Sequence, residues 1–371
     1  MNQDYALSTL STVMGWDTDR SREEFAWLGL MSRIKYDGYQ DFLAGMRFIE
    51  SLLDWIQQFK SDERETAYDF VRRSLIYIGP LEMSHLVELF YPEIVQRKLM
   101  QETAAQLGIK PYQVWADANA DKLYRRLLRQ TLFIELSDGA RIDIFRRANA
   151  GIVSNEQIVT APRIIRAKWD DLLKDLRIAL EDEDARFSSV YVVDDFIGSG
   201  TTLLRKEPSG DWTGKLVRFR EDLEDAGILH SHLQENWKLR VHHYVASHQA
   251  TKVASERQAA ALSDRLQNDK GWFDSVDFSY GMVLPEDVVV TPERHEQFVK
   301  LVDTYYDDSI ESKHMKVGGD DARFGFGQCG LPLILDHNTP NNSLALLWAE
   351  TAGGQDRHAM RPLFRRRQRH S

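Results

Sequence analysis

The chain has 371 residues, of which 43% are hydrophobic, 28% charged and 11% aromatic, a globular balance that excludes a disordered or fibrous protein and suggests two domains. Its 57 acidic and 47 basic residues leave a formal charge of −10, which argues against a surface that coats nucleic acid. A single cysteine, Cys329, excludes an internal disulfide and a cysteine-rich zinc site. With no apolar run of membrane-spanning length and no basic-then-apolar start, the expectation is a cytoplasmic protein.

In chain order, residues 1–128 read as a helical domain with a partner-binding or regulatory role. Ser21 with Glu24 has the spacing of a capping box, ahead of a face carrying Phe25, Leu28 and Met31. Phe42, Leu43, Met46, Ile49, Leu52, Leu53 and Ile56 recur at steps that predict one amphipathic helix. Further helices are expected over Glu65–Ile78, Pro80–Phe90 and Pro92–Leu107, with Gly108 as a stop. A helix-turn-helix over Leu81–Trp115 would need a basic recognition face, which this segment lacks.

From residue 129 to 371 the texture changes to short β-rich runs alternating with helical segments. The runs are 132–136, 190–195, 239–247, 276–284 and 331–337, with helices expected over Trp169–Leu180 and Gln249–Leu266. Such alternation predicts an α/β domain with a mainly parallel sheet flanked by helices.

The stretch VYVVDDFIGSGTTLLRK, residues 190–206, carries the chemistry. It reads as a buried strand, the carboxylates Asp194 and Asp195, a turn of Gly198, Ser199, Gly200, Thr201 and Thr202, and a helix starting at Leu203. Ligands of parallel sheets bind beyond the carboxyl ends of strands. Glycines admit a phosphate close to the backbone, hydroxyls add donors, and a helix start favours an anion. Paired carboxylates suit the vicinal hydroxyls of a ribose, so the segment predicts a ribose 5-phosphate pocket. Taken singly, the acids also fit a solvated strand end and the glycines a plain turn. A P-loop is excluded, because no lysine follows the glycines directly.

A second strand–turn–helix spans 132–149, where Ser137, Asp138, Gly139, Ala140 and Arg141 form the turn. Polar residues His337, Asn338, Thr339, Asn341 and Asn342 follow the 331–337 run; they fit a pocket rim and equally fit ordinary turn chemistry. SNEQ (154–157) is a further rim candidate. Arg365–Arg367 fit either a phosphate clamp or a solvated end. Gly325–Gly330 spells GxGxxG but precedes a strand, which excludes a dinucleotide site.

The 190–206 segment resembles the ribose-phosphate signature of type I phosphoribosyltransferases. The resemblance implies that Asp194 and Asp195 hold the ribose hydroxyls of phosphoribosyl pyrophosphate, and that Gly198–Thr202 hold its 5′-phosphate. It also implies that Ser137–Arg141 form the pyrophosphate loop. Asp138 departs from the basic residues usual in that loop and would repel an anion unless Mg²⁺ bridges them. Mg²⁺ is therefore expected with the ligand, and no residue is assigned to it directly.

The phrases 76–95, 133–149, 154–159, 194–204, 337–348 and 361–367 together resemble phosphoribosyltransferase-like proteins of bacterial conflict systems, anti-phage and some retron-associated ones among them. This implies a defence effector, even a toxin, held by protein partners. Two alternatives stand beside it. One is a non-catalytic nucleotide sensor or partner-binding module on the same fold. The other is a nucleic-acid-binding or modifying protein that uses the basic tail.

Overall fold

The computed structural model describes residues 3–160, 164–268, 272–319, 321–354 and 358–366, and of residues 265–268 and 314 the backbone alone. The chain divides into two compact units: one made of 1–83 with 285–371, the other of 84–284.

The first unit is mostly helical. Helices Gln3–Met14, Thr18–Ile34, Phe48–Gln57 and Arg64–Arg73 lead to strand β1 (Ile76–Ile78). Asp17, not Ser21, caps the second helix, accepting a bond from the Arg20 amide. The helix expected from Phe42 starts only at Phe48, because Gly45 takes a left-handed φ of 83° that a helix cannot accommodate. The helix expected over Glu65–Ile78 ends at Arg73, and its last residues become β1. Helix Pro80–Leu89 then carries the chain into the second unit.

There a π-helical stretch, Phe90–Gln96, joins helix Pro80–Leu89 to Arg97–Leu107 without a break. Pro92 therefore lies inside the wide turn instead of opening a new helix. Gly108 stops the run in the left-handed conformation, its amide bonded to the Ala104 carbonyl. Helix Ala118–Arg129 feeds β2 (Thr131–Glu135), followed by β3 (Ile158–Val159) and β4 (Phe187–Ile197). A small antiparallel hairpin, β5 (Arg205–Lys206) and β6 (Trp212–Thr213), precedes β7 (Leu233–Ser247) and β8 (Val276–Leu284).

The central sheet has the order β3-β2-β4-β7-β8, and every pairing in it is parallel. Alternating residues face opposite sides. Leu132, Ile134, Val190, Val192, Leu239 and Val241 pack with Trp169, Leu172 and Leu176 of helix Arg166–Leu180 and with Leu216 and Phe219 of helix Lys215–Asp225. Phe133, Tyr191 and His242 turn the other way, onto Phe90.

The remaining chain, 285–371, returns to the first unit. Its strand β9 (Leu333–Leu335) pairs with β1, so the 331–337 run lies in a separate two-stranded sheet. Phe70 of helix Arg64–Arg73 stacks on Phe298 of helix Glu296–Tyr305 at 3.7 Å between centroids. The observed units thus differ from the expected division at 128/129. The segment 84–128 joins the sheet, where Glu102 pairs with Lys238 at 2.6 Å, and the chain's end joins its beginning.

Candidate functional site

Numbered by appearance in the chain, the central sheet runs 2-1-3-4-5. In this doubly wound order the connections leave in opposite directions from β2 and β4, which opens a crevice beyond their carboxyl ends. Strand β2 stops at Glu135 opposite Val193, whereas β4 continues to Ile197 alongside β7. The turn after β2 therefore lies against the unpaired side of Asp194 and Asp195.

The contact is close. A Cβ on Gly139 would stand 2.7 Å from the Asp195 carboxyl carbon, so only glycine fits there without a shift. Ser137 Oγ donates to Asp194 Oδ1, and the Ala140 amide returns to the Ser137 carbonyl at 3.0 Å. Arg141 ends the turn with a left-handed φ of 48° and precedes helix Ile142–Ala148. The two segments singled out in the sequence, 137–141 and 194–202, thus meet at the switch point.

Adjacent strand residues point to opposite faces, and the two carboxylates have different surroundings accordingly. Asp194 is 2% exposed. Its Oδ2 accepts from Lys215 Nζ at 2.5 Å, and its Oδ1 accepts from Ser137 and from the Asp195 amide. Burial alone would raise its pKa, but the Lys215 ammonium, with His243 and the Ser137 hydroxyl, holds it below the usual carboxylate range. Burial pushes its sheet neighbour His243 down to about 4, and His243 Nδ1 has no hydrogen-bond partner among the described residues. Asp195 is half-buried. Near it, burial and the charges of Asp138, Asp194 and Asp143 raise the Glu135 carboxyl. The site is rich in negative charge.

The turn 198–202 is anchored by its neighbours. Ser247 Oγ donates to the Gly198 carbonyl, and Ser199 Oγ accepts from the Thr201 amide at 3.3 Å. Gly200, with a φ of 73°, packs against Val253 of helix His248–Asn268. Arg257 from the same helix donates to Thr201 Oγ1 at 3.2 Å and to the Leu204 carbonyl at 2.9 Å. The helix expected at Leu203 is replaced by hairpin β5–β6, and the next helix begins at Lys215. The turn therefore lacks the helix N-terminus expected directly after it; the nearby cations are Lys215 and Arg257 instead. Neither carried a spacing signal, because each is brought in by packing across a hairpin or from a later helix.

His337, Asn341 and Asn342 belong to the first unit. His337 Nδ1 lies 3.3 Å from Asp336 Oδ1, Asn341 faces Met315 Sδ, and Asn342 donates to the Phe326 carbonyl at 2.7 Å. Arg365 pairs with Glu350, Arg366 sits over the Trp348 ring, and Arg367 lies outside the described residues. Gln157 of the SNEQ segment is buried and donates to the Leu128 and Thr131 carbonyls. It therefore sits at the amino-terminal end of β2, opposite the crevice.

An all-parallel, doubly wound sheet with carboxylates and a small-residue turn at its switch point places this unit in the α/β class whose ligands bind beyond the strand ends. A family model described as PRTase-CE matches residues 52–366, and the chain belongs to this phosphoribosyltransferase-like family. No curated protein and no solved structure matches it. Among the described residues, no helix is long and apolar enough to cross a membrane.

Proposed function

We propose that the crevice between 137–141 and 194–202 binds phosphoribosyl pyrophosphate or a related ribose 5-phosphate compound, and that the protein is an effector of a bacterial defence system. The observation that carries the ligand assignment is the seating of Gly139 on Asp195, which brings the two segments together at one end of the sheet. Asp195 takes a ribose hydroxyl, Asp194 fixes the backbone and the ammonium beside it, and 198–202 take the 5′-phosphate through amides and the Thr202 side chain. The defence role and its protein partners rest on the sequence resemblance alone.

Magnesium suits the donor chemistry here. Several carboxylates crowd one end of the sheet, yet no group of three or more metal-type ligands is gathered among the described residues. Mg²⁺ keeps most of its water and is commonly held by one or two carboxylates plus the ligand's phosphates. Asp195 and Asp138 are the residues that would share it, and it would neutralise a departing pyrophosphate. In turnover, pyrophosphate leaves C1′ through an oxocarbenium-like state and a nucleophile attacks that carbon. The chain's own part is orientation of the ribose and electrostatic positioning.

A second reading is a sensor that binds without turnover. It is favoured by the engagement of both Asp194 oxygens by the protein itself. Pyrophosphate release separates the two. Release that is lost in Asp195→Asn supports an enzyme, whereas ligand binding without release supports the sensor. Among the described residues of the basic tail, Arg361 pairs with Asp54 and Arg365 with Glu350.

A further inference from the structure

At the opposite end of β2 from the crevice, a second concavity opens within the same unit. Its volume is about 690 Å³, within the range of small-molecule sites. Tyr91, Trp115, Tyr124, Arg129, Ile152 and Asn155 line it.

The floor holds an unspent donor. Tyr91 and Tyr124 are 5% and 3% exposed, and their hydroxyls share one bond of 2.8 Å. In such a pair one phenol donates, and the accepting phenol keeps its own proton for a further acceptor. Arg129 is half-buried and spends one N–H on the Asp175 carbonyl at 3.1 Å, one of the five a guanidinium offers. Burial lowers its pKa, and the carboxylates of Glu156 and Asp175 act the other way. Arg125 is already paired with Asp121 at 2.8 Å, and Glu156 at the rim is bonded to Ser154 Oγ.

The walls are apolar and uncovered. Trp115 is 49% and Ile152 52% exposed, and the indole stands edge-on to Tyr124 with centroids 4.7 Å apart. Exposed apolar surface beside a concavity with converging polar groups marks a ligand site.

We propose that this cavity is a second small-molecule site, for a ligand with a flat aromatic ring and an anionic group, of the size of a nucleoside monophosphate. The ring lies against Trp115 and Ile152, the anion meets Arg129, and the phenol pair donates to an acceptor on the ligand. The assignment does not depend on what the crevice binds.

The test is isothermal titration of the full chain with adenosine monophosphate and, separately, with phenyl phosphate, which has a ring and an anion but no ribose. Both probes are expected to bind. Arg129→Met and Trp115→Ala should each weaken phenyl phosphate binding about tenfold or more, and Asp195→Asn should leave the binding of that ribose-free probe within about twofold. Trp115 is exposed, so its variant keeps the test valid even where Arg129→Met fails to fold. No heat up to about 1 mM of either probe would overturn the proposal. Phenyl phosphate affinity unchanged in Trp115→Ala, or phenyl phosphate binding abolished by Asp195→Asn, would overturn it as well.

Discussion

At the scale of single residues, the account turns on which carboxylate is used and which is spent. Asp194 is buried and its partner Lys215 is 28% exposed, and removing the lysine leaves an uncompensated buried carboxylate. Lys215→Met is expected to cost about 3–5 kcal/mol in denaturant unfolding, and the double variant with Asp194→Asn should recover part of that loss. A loss below about 1 kcal/mol in the single variant would show that the pair is incidental. Gly139→Ala should destabilise by about 1–3 kcal/mol through its clash with Asp195 and weaken ribose 5-phosphate binding more than tenfold. His243 sets a pH dependence. Its folded pKa, about 4, lies below the ordinary value of 6.5, so the folded state binds fewer protons between those limits. Its share of stability is complete above about pH 6.5 and falls by roughly 3 kcal/mol as the pH drops to 4. Unfolding midpoints across that window should fall less steeply in His243→Asn than in the wild type. Asp194 and Asp195 stand out in the sequence because two acids follow a four-residue apolar run, although in the fold they lie inside β4, which runs on to Ile197. Lys215 was not, since only the folding back of hairpin β5–β6 brings it there.

At the scale of elements, long buried strands were legible, and of the short ones only β9, inside the 331–337 run, was. Runs such as VYVV and VHHYVA are rich in the β-branched and aromatic residues of a doubly covered sheet, and the 276–284 run matches β8 residue for residue. Strands β1, β3, β5 and β6 have two or three residues each, too few for any periodicity. The helix expected at Leu203 failed for a physical reason: the Thr202 and Leu203 carbonyls accept from the Lys215 and Leu216 amides instead of from a following helical turn, and Gly214 comes in against Leu203. Two glycines test this reading. A Cβ on Gly108 meets nothing, so Gly108→Ala should cost only the left-handed backbone, about 1 kcal/mol. A Cβ on Gly214 would stand 2.5 Å from the Leu203 carbonyl, so Gly214→Ala should unseat the hairpin and with it Lys215. Thermal unfolding should separate the two variants clearly. Equal losses would mean that the hairpin does not hold the turn.

At the scale of the whole molecule, fold class was legible and unit composition was not. Texture along a sequence reveals where helices give way to strands, but not that 285–371 returns to the first 83 residues. That return depends on contacts such as Trp55 Nε1 with the Leu346 carbonyl at 2.8 Å, which no local pattern encodes. The net charge of −10 likewise conceals where charge matters, with carboxylates gathered at one end of the central sheet and Arg129 at the other. The central claim is that the crevice at the β2/β4 switch point takes a ribose 5-phosphate. The most direct measurement is the thermal unfolding midpoint of the full chain with phosphoribosyl pyrophosphate and Mg²⁺. A ligand at about a hundredfold above its Kd adds about 2.7 kcal/mol, a rise of several degrees for a protein of this size. The account predicts that rise in the wild type and its loss in Asp195→Asn. No rise with phosphoribosyl pyrophosphate or ribose 5-phosphate, or an equal rise in both proteins, would contradict it.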